Sequence, residues 1–140
     1  MIKLIVGKKG TGKTKLLVEL VHQAADASKG NVVCIEKGDS LTYDIKPAVR
    51  LIRANEYEVD NYTTMSGFIC GIMAGDYDCT DIFVDSITKL CGKDDAAMVD
   101  FFLKMEKLTD AHPLTLTATV SADESELPEA LKPYVEARAI

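Results

Sequence analysis

The eight residues 7–14, GKKGTGKT, constrain the fold of this chain more than any other stretch of its sequence. They follow a short apolar segment, residues 2–6, that predicts a buried strand, and they precede a segment with helical periodicity. A loop that wraps around a phosphate must turn several backbone N–H groups inward, which requires glycine where a side chain would block the turn. The following helix adds the positive end of its dipole. The stretch therefore predicts a phosphate-binding loop between a strand and a helix.

Within this stretch the spacing G-x-x-x-x-G-K-[ST] is met by four residues, which are Gly7, Gly12, Lys13 and Thr14. In such a loop the lysine reaches the β- and γ-phosphates of a nucleotide, so Lys13 is a predicted catalytic residue. The hydroxyl of Thr14 is a predicted Mg²⁺ ligand. The alternative is a glycine-rich turn whose lysines are only solvated. Besides these four, the predicted nucleotide-binding residues of the loop are Lys8, Lys9, Gly10, Thr11 and Lys15.

Strands and helices alternate along the rest of the chain. Apolar or alternating segments predict further strands at residues 31–36, 49–54, 80–85 and 114–120. Apolar faces at helical spacing predict helices at residues 13–28, 61–75, 94–109 and 125–134. This alternation predicts an α/β fold with about five mainly parallel strands, helices on both faces of the sheet and right-handed crossovers.

Two details of the predicted helices can be read from single residues. Asp94 precedes the third helix and is expected to cap its amino end. Gly67 and Gly71 lie four residues apart in the second helix, and we expect them to allow close packing on the sheet. A chain of 140 residues fits one domain, so residues 1–140 are predicted to form a single nucleotide-binding domain.

With this loop in this context, the chain resembles the P-loop NTPases over most of its length. The resemblance implies a three-layer domain that binds a nucleoside triphosphate with Mg²⁺, and it implies an acidic residue near the metal at the end of a second apolar strand. The segment IFVD, residues 82–85, ends in Asp85, which the resemblance assigns to the metal. An NKxD motif of the kind that reads guanine is absent from the sequence, which favours ATP over GTP.

The residue that activates water is harder to assign. Many ATPases of this class have a glutamate directly after the metal-binding aspartate, whereas Ser86 follows Asp85 here. The segment VVCIE, residues 32–36, is similar to the acidic box of the pilus-retraction (twitching motility) and type II secretion ATPases, in which a glutamate closes the corresponding strand. That similarity implies Glu36 as the base that acts on the attacking water. The alternative is a strand-end carboxylate without a role in the reaction.

Two further residues are implied by resemblance. Lys8 matches an extra lysine that chromosome-partitioning ATPases carry after the first loop glycine, where it reaches the partner subunit's phosphates. This resemblance implies a nucleotide-dependent homo-oligomer. The alternative is that Lys8 acts within its own subunit or only contacts solvent. Ser121 ends the last predicted strand, where P-loop proteins often sense the γ-phosphate. Alternation puts Thr117 and Thr119 on the same face, but only Ser121 is expected to reach the site; capping of the last helix is its alternative role.

Composition limits the partners and the location. The formal net charge of −6 disfavours a broad surface for nucleic acid or an anionic membrane, so a nucleic-acid partner is not expected. The four cysteines form no CxxC pair and lie far in sequence from both histidines, which predicts reduced thiols in the core and no zinc site. No apolar run approaches the ~20 residues of a membrane span, and we expect a cytoplasmic protein.

The sequence therefore predicts an ATP-binding protein, most simply a slow Mg²⁺-dependent ATPase whose nucleotide state controls the interaction with an unidentified protein partner. The alternative is a nucleotide-binding switch or regulatory subunit that does not hydrolyse ATP. A small-molecule phosphotransferase is the third hypothesis. It is weakened by the small number of arginines for an acceptor phosphate and a lid, which are Arg50, Arg53 and Arg138. The chain also resembles small single-domain bacterial ATP-binding proteins that are sometimes labelled twitching-motility ATPases.

Overall fold

Six strands form one sheet in the computed structural model, which describes residues 1–139. The strands are β1 (Ile2–Gly7), β2 (Asn31–Glu36), β3 (Arg50–Arg53), β4 (Cys79–Val84), β5 (Thr115–Ser121) and β6 (Val135–Arg138). Their order across the sheet is β3-β2-β4-β5-β1-β6, and every neighbouring pair is parallel. All six carboxyl ends therefore lie along one edge of the sheet, and β5 separates β1 from β4.

Helices cover both faces of this sheet. They are α1 (Lys13–Ala27), α2 (Tyr62–Gly75), α3 (Ile87–Cys91) and α4 (Asp95–Ala111). On one face, Leu17 and Val21 of α1 pack with Cys34 of β2, and the loop after β2 completes this smaller core. On the other face, α2, α3 and α4 pack against neighbouring strand residues such as Val33 and Ile35. Strand alternation thus supplies apolar side chains to two cores, and the predicted α/β layers with helices on both faces are confirmed.

Two helices begin at side-chain caps. Asp94 accepts a hydrogen bond from Ala97 N at 3.1 Å, so the predicted cap of α4 is confirmed. At α2, the Asn61 side chain accepts from Thr64 N at 2.9 Å, and the Thr64 hydroxyl accepts from Asn61 N at 3.2 Å. Each cap satisfies backbone N–H groups that have no partner within the helix.

The carboxyl-terminal helix predicted at residues 125–134 is wrong. The structure has two 3₁₀ helices in this region, Glu124–Glu126 and Glu129–Tyr134, and then the strand β6. Pro133 lies inside the second of them, and in an α-helix a proline removes a backbone N–H and clashes with the carbonyl four residues earlier. Val135 then begins a strand that pairs with β1, so the sheet has one strand more than the sequence predicts.

The expectation that Gly67 and Gly71 allow α2 to pack closely on the sheet is also wrong. Both glycines are exposed, and a Cβ atom added at either would meet nothing within 4 Å. The buried face of α2 is formed by residues such as Met65 and Ile69. Spacing of four residues shows that two glycines share a face, but it does not show which face that is.

The cysteines lie where the sequence predicts. Cys34, Cys79 and Cys91 are buried, Cys70 is half-buried, and all four are free thiols. Residues 1–139 contain no group of three or more histidine, cysteine or acidic side chains arranged to hold a metal ion. The same residues form no helix that is long and apolar enough to cross a bilayer.

Gly30, between α1 and β2, gives a test of the packing. A Cβ atom at this position would lie only 1.9 Å from the carbonyl oxygen of Asp78, to which Asn31 N also donates at 2.8 Å. We expect Gly30→Ala to lower the free energy of unfolding by about 1–3 kcal/mol, because the two backbones must separate. Urea denaturation followed by circular dichroism measures the change.

The matched control is Gly67→Ala, the same substitution at an exposed helical glycine. It should raise the free energy of unfolding by about 0.5–1 kcal/mol, because alanine loses less conformational freedom than glycine when a helix forms. Changes of the same sign in both variants would contradict the close approach at Gly30.

Candidate functional site

The loop between β1 and α1 is closed by hydrogen bonds to one carbonyl oxygen. Lys8 O accepts from Thr11 N at 3.3 Å, from Thr11 Oγ1 at 2.7 Å and from Lys13 Nζ at 2.8 Å. Gly10 and Gly12 have φ angles of 83° and 87°, in the left-handed region that only glycine adopts without strain. The glycines predicted for this loop are therefore required by its backbone.

Gly7 has a different role, at the base of the loop. A Cβ atom here would lie 2.6 Å from Ala139 O and 2.6 Å from Thr11 Oγ1. Ala139 N also donates to Val6 O at 2.8 Å, which holds the end of β6 against the loop. This first glycine of the pattern thus admits a neighbouring chain segment to the base of the loop.

A buried carboxylate connects α1 with the ends of two strands. Asp85, directly after β4, accepts hydrogen bonds from Thr14 Oγ1, which lies 3.2 Å from each carboxylate oxygen. It accepts a further bond from Thr119 Oγ1 of β5 at 3.0 Å. The structure therefore brings the two predicted metal ligands, Thr14 and Asp85, into contact.

The next residue, Ser86, has a strained backbone. Its φ angle is 58°, unusual for a residue other than glycine, and strain of this kind clusters at functional sites. Ser86 N donates to Thr119 Oγ1 at 2.6 Å. Thr119 thus accepts from Ser86 and donates to Asp85, so one buried hydroxyl fixes both residues. That Ser121 is the hydroxyl of this face that reaches a γ-phosphate stays a prediction, and Thr119 acts here on Asp85 and Ser86.

Burial and the Asp85 charge act in opposite directions on Lys13. The side chain is 7 % exposed, and burial lowers the pKa of its ammonium group, while the Asp85 carboxylate raises it. Burial, together with the negative charges of Asp85 and Glu36, raises the pKa of the Cys34 thiol to about 12. Cys34 is therefore a neutral thiol at physiological pH.

A cavity of about 830 Å³ opens in front of the loop. Most of the predicted nucleotide-binding residues line it, namely Lys8, Lys9, Gly10, Gly12, Lys13, Thr14 and Ser121. Gly7, Thr11 and Lys15 are not among its lining residues. The remaining lining residues are Ser86, Thr88, Lys89, Lys93, Ala122 and Glu126, which the sequence analysis did not select.

Glu36 lies at the end of β2, beside β4, but it does not line this cavity. Its side chain is 2 % exposed, and its carboxylate accepts from Ser40 Oγ at 3.0 Å and from Leu41 N at 3.1 Å. In this structure the carboxylate organises the loop that follows β2. The assignment of Glu36 as a base stays a prediction.

Sequence spacing alone gives no signal for the residues of the site that were not selected. Val84 is level with Ala118 in the sheet, so Asp85 is level with Thr119, while Ser121 is level with Gly7 on the other side. The strand register, which sequence spacing does not give, decides which hydroxyl meets the carboxylate. Lys89 lies in α3, whose five residues are too few for a recognisable helical period, and Lys93 lies in the turn after it.

The donor atoms fit Mg²⁺ and phosphate. Thr14 and Asp85 offer hydroxyl and carboxylate oxygens, and Mg²⁺ prefers such ligands, usually one or two carboxylates with water and substrate phosphates. Lys13 offers an ammonium group at the start of the fifteen-residue helix α1, whose amino end favours anions.

Comparisons with protein-family models and with curated proteins give no match to this chain. Solved structures do resemble it. Domain III of the replication initiation protein DnaA from Thermotoga maritima aligns with 99 % of this chain and 54 % of its own, at 14 % identity and a TM-score of 0.53. The flagellar accessory protein FlaH from Methanocaldococcus jannaschii aligns over 92 % and 63 %, at 16 % identity and a TM-score of 0.57. PCH-2 from C. elegans aligns over 98 % and 34 %, at 19 % identity and a TM-score of 0.55.

These structures have the P-loop NTPase fold in common, and this chain has that fold. The predicted fold class is thereby confirmed. The chain spans less than two thirds of each of the three structures, so they share with it one α/β unit and extend beyond it.

The link through Thr119 can be tested by Thr119→Val, which removes the hydroxyl and keeps the shape of the side chain. The substitution leaves Ser86 N–H without its acceptor and Asp85 with one donor fewer. We expect the free energy of unfolding to fall by about 1–3 kcal/mol in urea denaturation, the range for an unsatisfied buried polar group.

Thr117→Val is the matched control, since Thr117 is buried on the same face of β5 but bonds to neither Asp85 nor Ser86. It should change the stability by a smaller amount. Equal losses in the two variants would show that the hydroxyl of Thr119 has no special part in holding Asp85.

Proposed function

We propose that this protein binds ATP with Mg²⁺ and hydrolyses it slowly, and that its nucleotide state controls an interaction with a protein partner. The observation that carries the proposal is the contact of Thr14 Oγ1 with both oxygens of Asp85 at 3.2 Å, beside the phosphate-binding loop. Two oxygen atoms from distant parts of the sequence, both suited to bind a metal ion, thus lie together beside the loop, which supports the proposal.

Each residue of the site has one task in this proposal. Lys13 gives up its bond to Lys8 O and binds the γ-phosphate, the change expected when an anion enters the loop. Thr14 and Asp85 hold Mg²⁺, which would neutralise charge on the phosphate oxygens. Thr119 keeps the Asp85 carboxylate oriented. Ser121, at the end of β5, contacts the γ-phosphate from the cavity wall.

Glu36 is the base in this proposal, and its position supports the role only in part. Glu36 ends β2, the strand next to β4, so it lies at the same edge of the sheet as Asp85. Its carboxylate is held by Ser40 and Leu41 N, and acting on water requires that these bonds open or that a water molecule relays the proton.

The nucleotide-binding switch without turnover is the second candidate function. It is favoured by the absence of a carboxylate directly after Asp85 and by the bonds that keep Glu36 in its own loop. The phosphotransferase hypothesis gains nothing from the arginines. Arg50 and Arg53 lie on β3, at the opposite edge of the sheet from β6, and Arg138 forms an ion pair with Glu124.

The nucleotide site is tested by calorimetric titration of ATP and GTP with Mg²⁺, followed by a phosphate-release assay on the same sample. We expect ATP to bind more tightly than GTP, and Lys13→Ala to weaken ATP binding at least tenfold because a charge-assisted bond to phosphate is lost. Lys104→Ala, at an exposed position of α4, is the control and should not change the affinity.

The results separate the candidate functions. Tight binding without phosphate release selects the switch over the ATPase. No binding of either nucleotide would contradict the proposal altogether.

Glu36→Gln tests the base. Glutamine keeps an oxygen that can accept from Leu41 N, so the loop should stay folded while proton acceptance is lost. We expect phosphate release to fall at least 100-fold, the lower range for loss of general base catalysis, with little change in ATP affinity. Glu19→Gln, on the exposed side of α1, should release phosphate at the normal rate. Normal turnover in Glu36→Gln with intact binding would remove Glu36 from the mechanism.

Lys8 is the residue that suggests the proposed homo-oligomer, and it is exposed at the mouth of the cavity. Sedimentation velocity with and without Mg²⁺ and a non-hydrolysable ATP analogue tests it. A dimer that forms with nucleotide and is lost in Lys8→Ala is the expected result. A monomer under both conditions at high protein concentration would contradict the dimer. Lys8 would then act on the nucleotide of its own subunit or only contact solvent.

A further inference from the structure

The cavity contains more positive charge than its loop pattern requires. That pattern uses one lysine, which is Lys13. Four more lysines line the cavity and come from two segments of the chain: Lys8 and Lys9 from the loop, and Lys89 and Lys93 from α3 and the turn after it. Within residues 1–139, none of these four ammonium groups forms an ion pair within 4.0 Å. The excess lies in a chain whose formal net charge is −6.

The wall that carries Lys89 and Lys93 is well anchored. Helix α3 packs Ile87 and Leu90 into the core, and Ser86 O accepts from Lys89 N and Leu90 N at 3.0 Å. The amino end of this segment is fixed to Asp85 through Thr119. Lys89 therefore belongs to a helix that is tied to Asp85, and Lys93 lies in the turn directly after that helix.

The positive charge that lines the cavity exceeds the negative charge of one Mg²⁺-bound nucleotide. Five lysines and one glutamate line the cavity, a formal charge of +4, and counting the neighbouring Asp85 makes it +3. A nucleoside triphosphate carries about −2 when Mg²⁺ offsets half of its charge. One nucleotide thus leaves a formal charge of +1 in the cavity, so the cavity stays positive toward a further anion.

We propose that Lys89 and Lys93 bind a second ligand, a dianionic phosphate group, beside the γ-phosphate position of the proposed nucleotide site. A phosphate monoester carries about −1.5 to −2 at pH 7, which matches two lysines. The hydroxyls of Ser86 and Thr88 line the same wall and offer further donors. The cavity of about 830 Å³ lies in the upper part of the range of about 300–1,000 Å³ for ligand pockets.

This inference rests on the proposed function, because the second phosphate is defined by its place next to the nucleotide. The group belongs to a phosphorylated small molecule or to inorganic phosphate, since both present the same dianion. The alternative is that Lys89 and Lys93 bind the triphosphate itself.

The test uses the full chain labelled with ¹⁵N and saturated with Mg²⁺ and a non-hydrolysable ATP analogue, so that the γ-phosphate position is filled. Inorganic phosphate and, separately, glycerol 3-phosphate are titrated in at constant ionic strength while amide signals are recorded by NMR. We expect saturable shifts in residues 86–93. Shifts with phosphate alone identify the free anion as the ligand, and shifts with glycerol 3-phosphate show that a monoester fits.

The double variant Lys89→Ala/Lys93→Ala carries the decision. Its affinity for the phosphate probe should fall at least tenfold, while its affinity for the ATP analogue falls less than threefold. The control Lys104→Ala/Lys107→Ala removes the same charge from exposed positions of α4 and should bind both as the unmodified chain does. Equal loss of affinity for the phosphate probe and for the nucleotide in the double variant would overturn the inference. So would probe-induced shifts that persist in the double variant, or the absence of such shifts at residues 86–93 in the unmodified chain.

If the unmodified chain does not bind the nucleotide analogue, the proposed function fails, and the same titration on the free protein decides the second site. Shifts in residues 86–93 that are lost in the double variant but kept in Lys13→Ala would support a phosphate site on α3 alone. Shifts that depend on Lys13 would overturn it.

Discussion

The buried carboxylate of Asp85 is the constraint on which the rest of the site depends. An ionised carboxylate is stable away from water only when hydrogen bonds replace its hydration. Here the donors are hydroxyls of Thr14 on α1 and Thr119 on β5. Since β5 separates β1 from β4, no backbone ladder joins the loop to the strand of Asp85. The side chains around this carboxylate make that connection across the intervening strand.

The parts that the sequence predicted well are those fixed by local patterns. The loop glycines follow from backbone geometry, the Asp94 cap from its position before a helix, and the buried strands from short apolar runs. What it missed depends on distant partners. Thr119 meets Asp85 because of strand register, and β6 forms because β1 has a free edge beside a segment that Pro133 keeps from becoming an α-helix. Glycine spacing in α2 showed a shared face, and only tertiary packing determined that it is exposed.

The charge distribution has a consequence for how a ligand arrives. The chain is acidic overall, yet five lysines line the cavity in front of the loop. A positive cavity in an otherwise negative surface attracts small anions to the cavity, while the rest of the surface repels extended polyanions. For the proposed nucleotide ligand, this distribution would make the rate of association sensitive to ionic strength.

The three hydrogen bonds on the Lys8 carbonyl mean that the loop contains its own competitor for the ligand. Lys13 is already satisfied by this oxygen, so an entering phosphate must displace an internal partner before it gains the ammonium group. An anion that forms a single hydrogen bond with Lys13 only replaces the bond to the Lys8 carbonyl and is bound weakly. A triphosphate would make several contacts at once, which would offset the loss of that bond. In the proposed nucleotide site, the hydrogen bonds within the loop would therefore set a threshold that favours phosphates able to engage several groups at once.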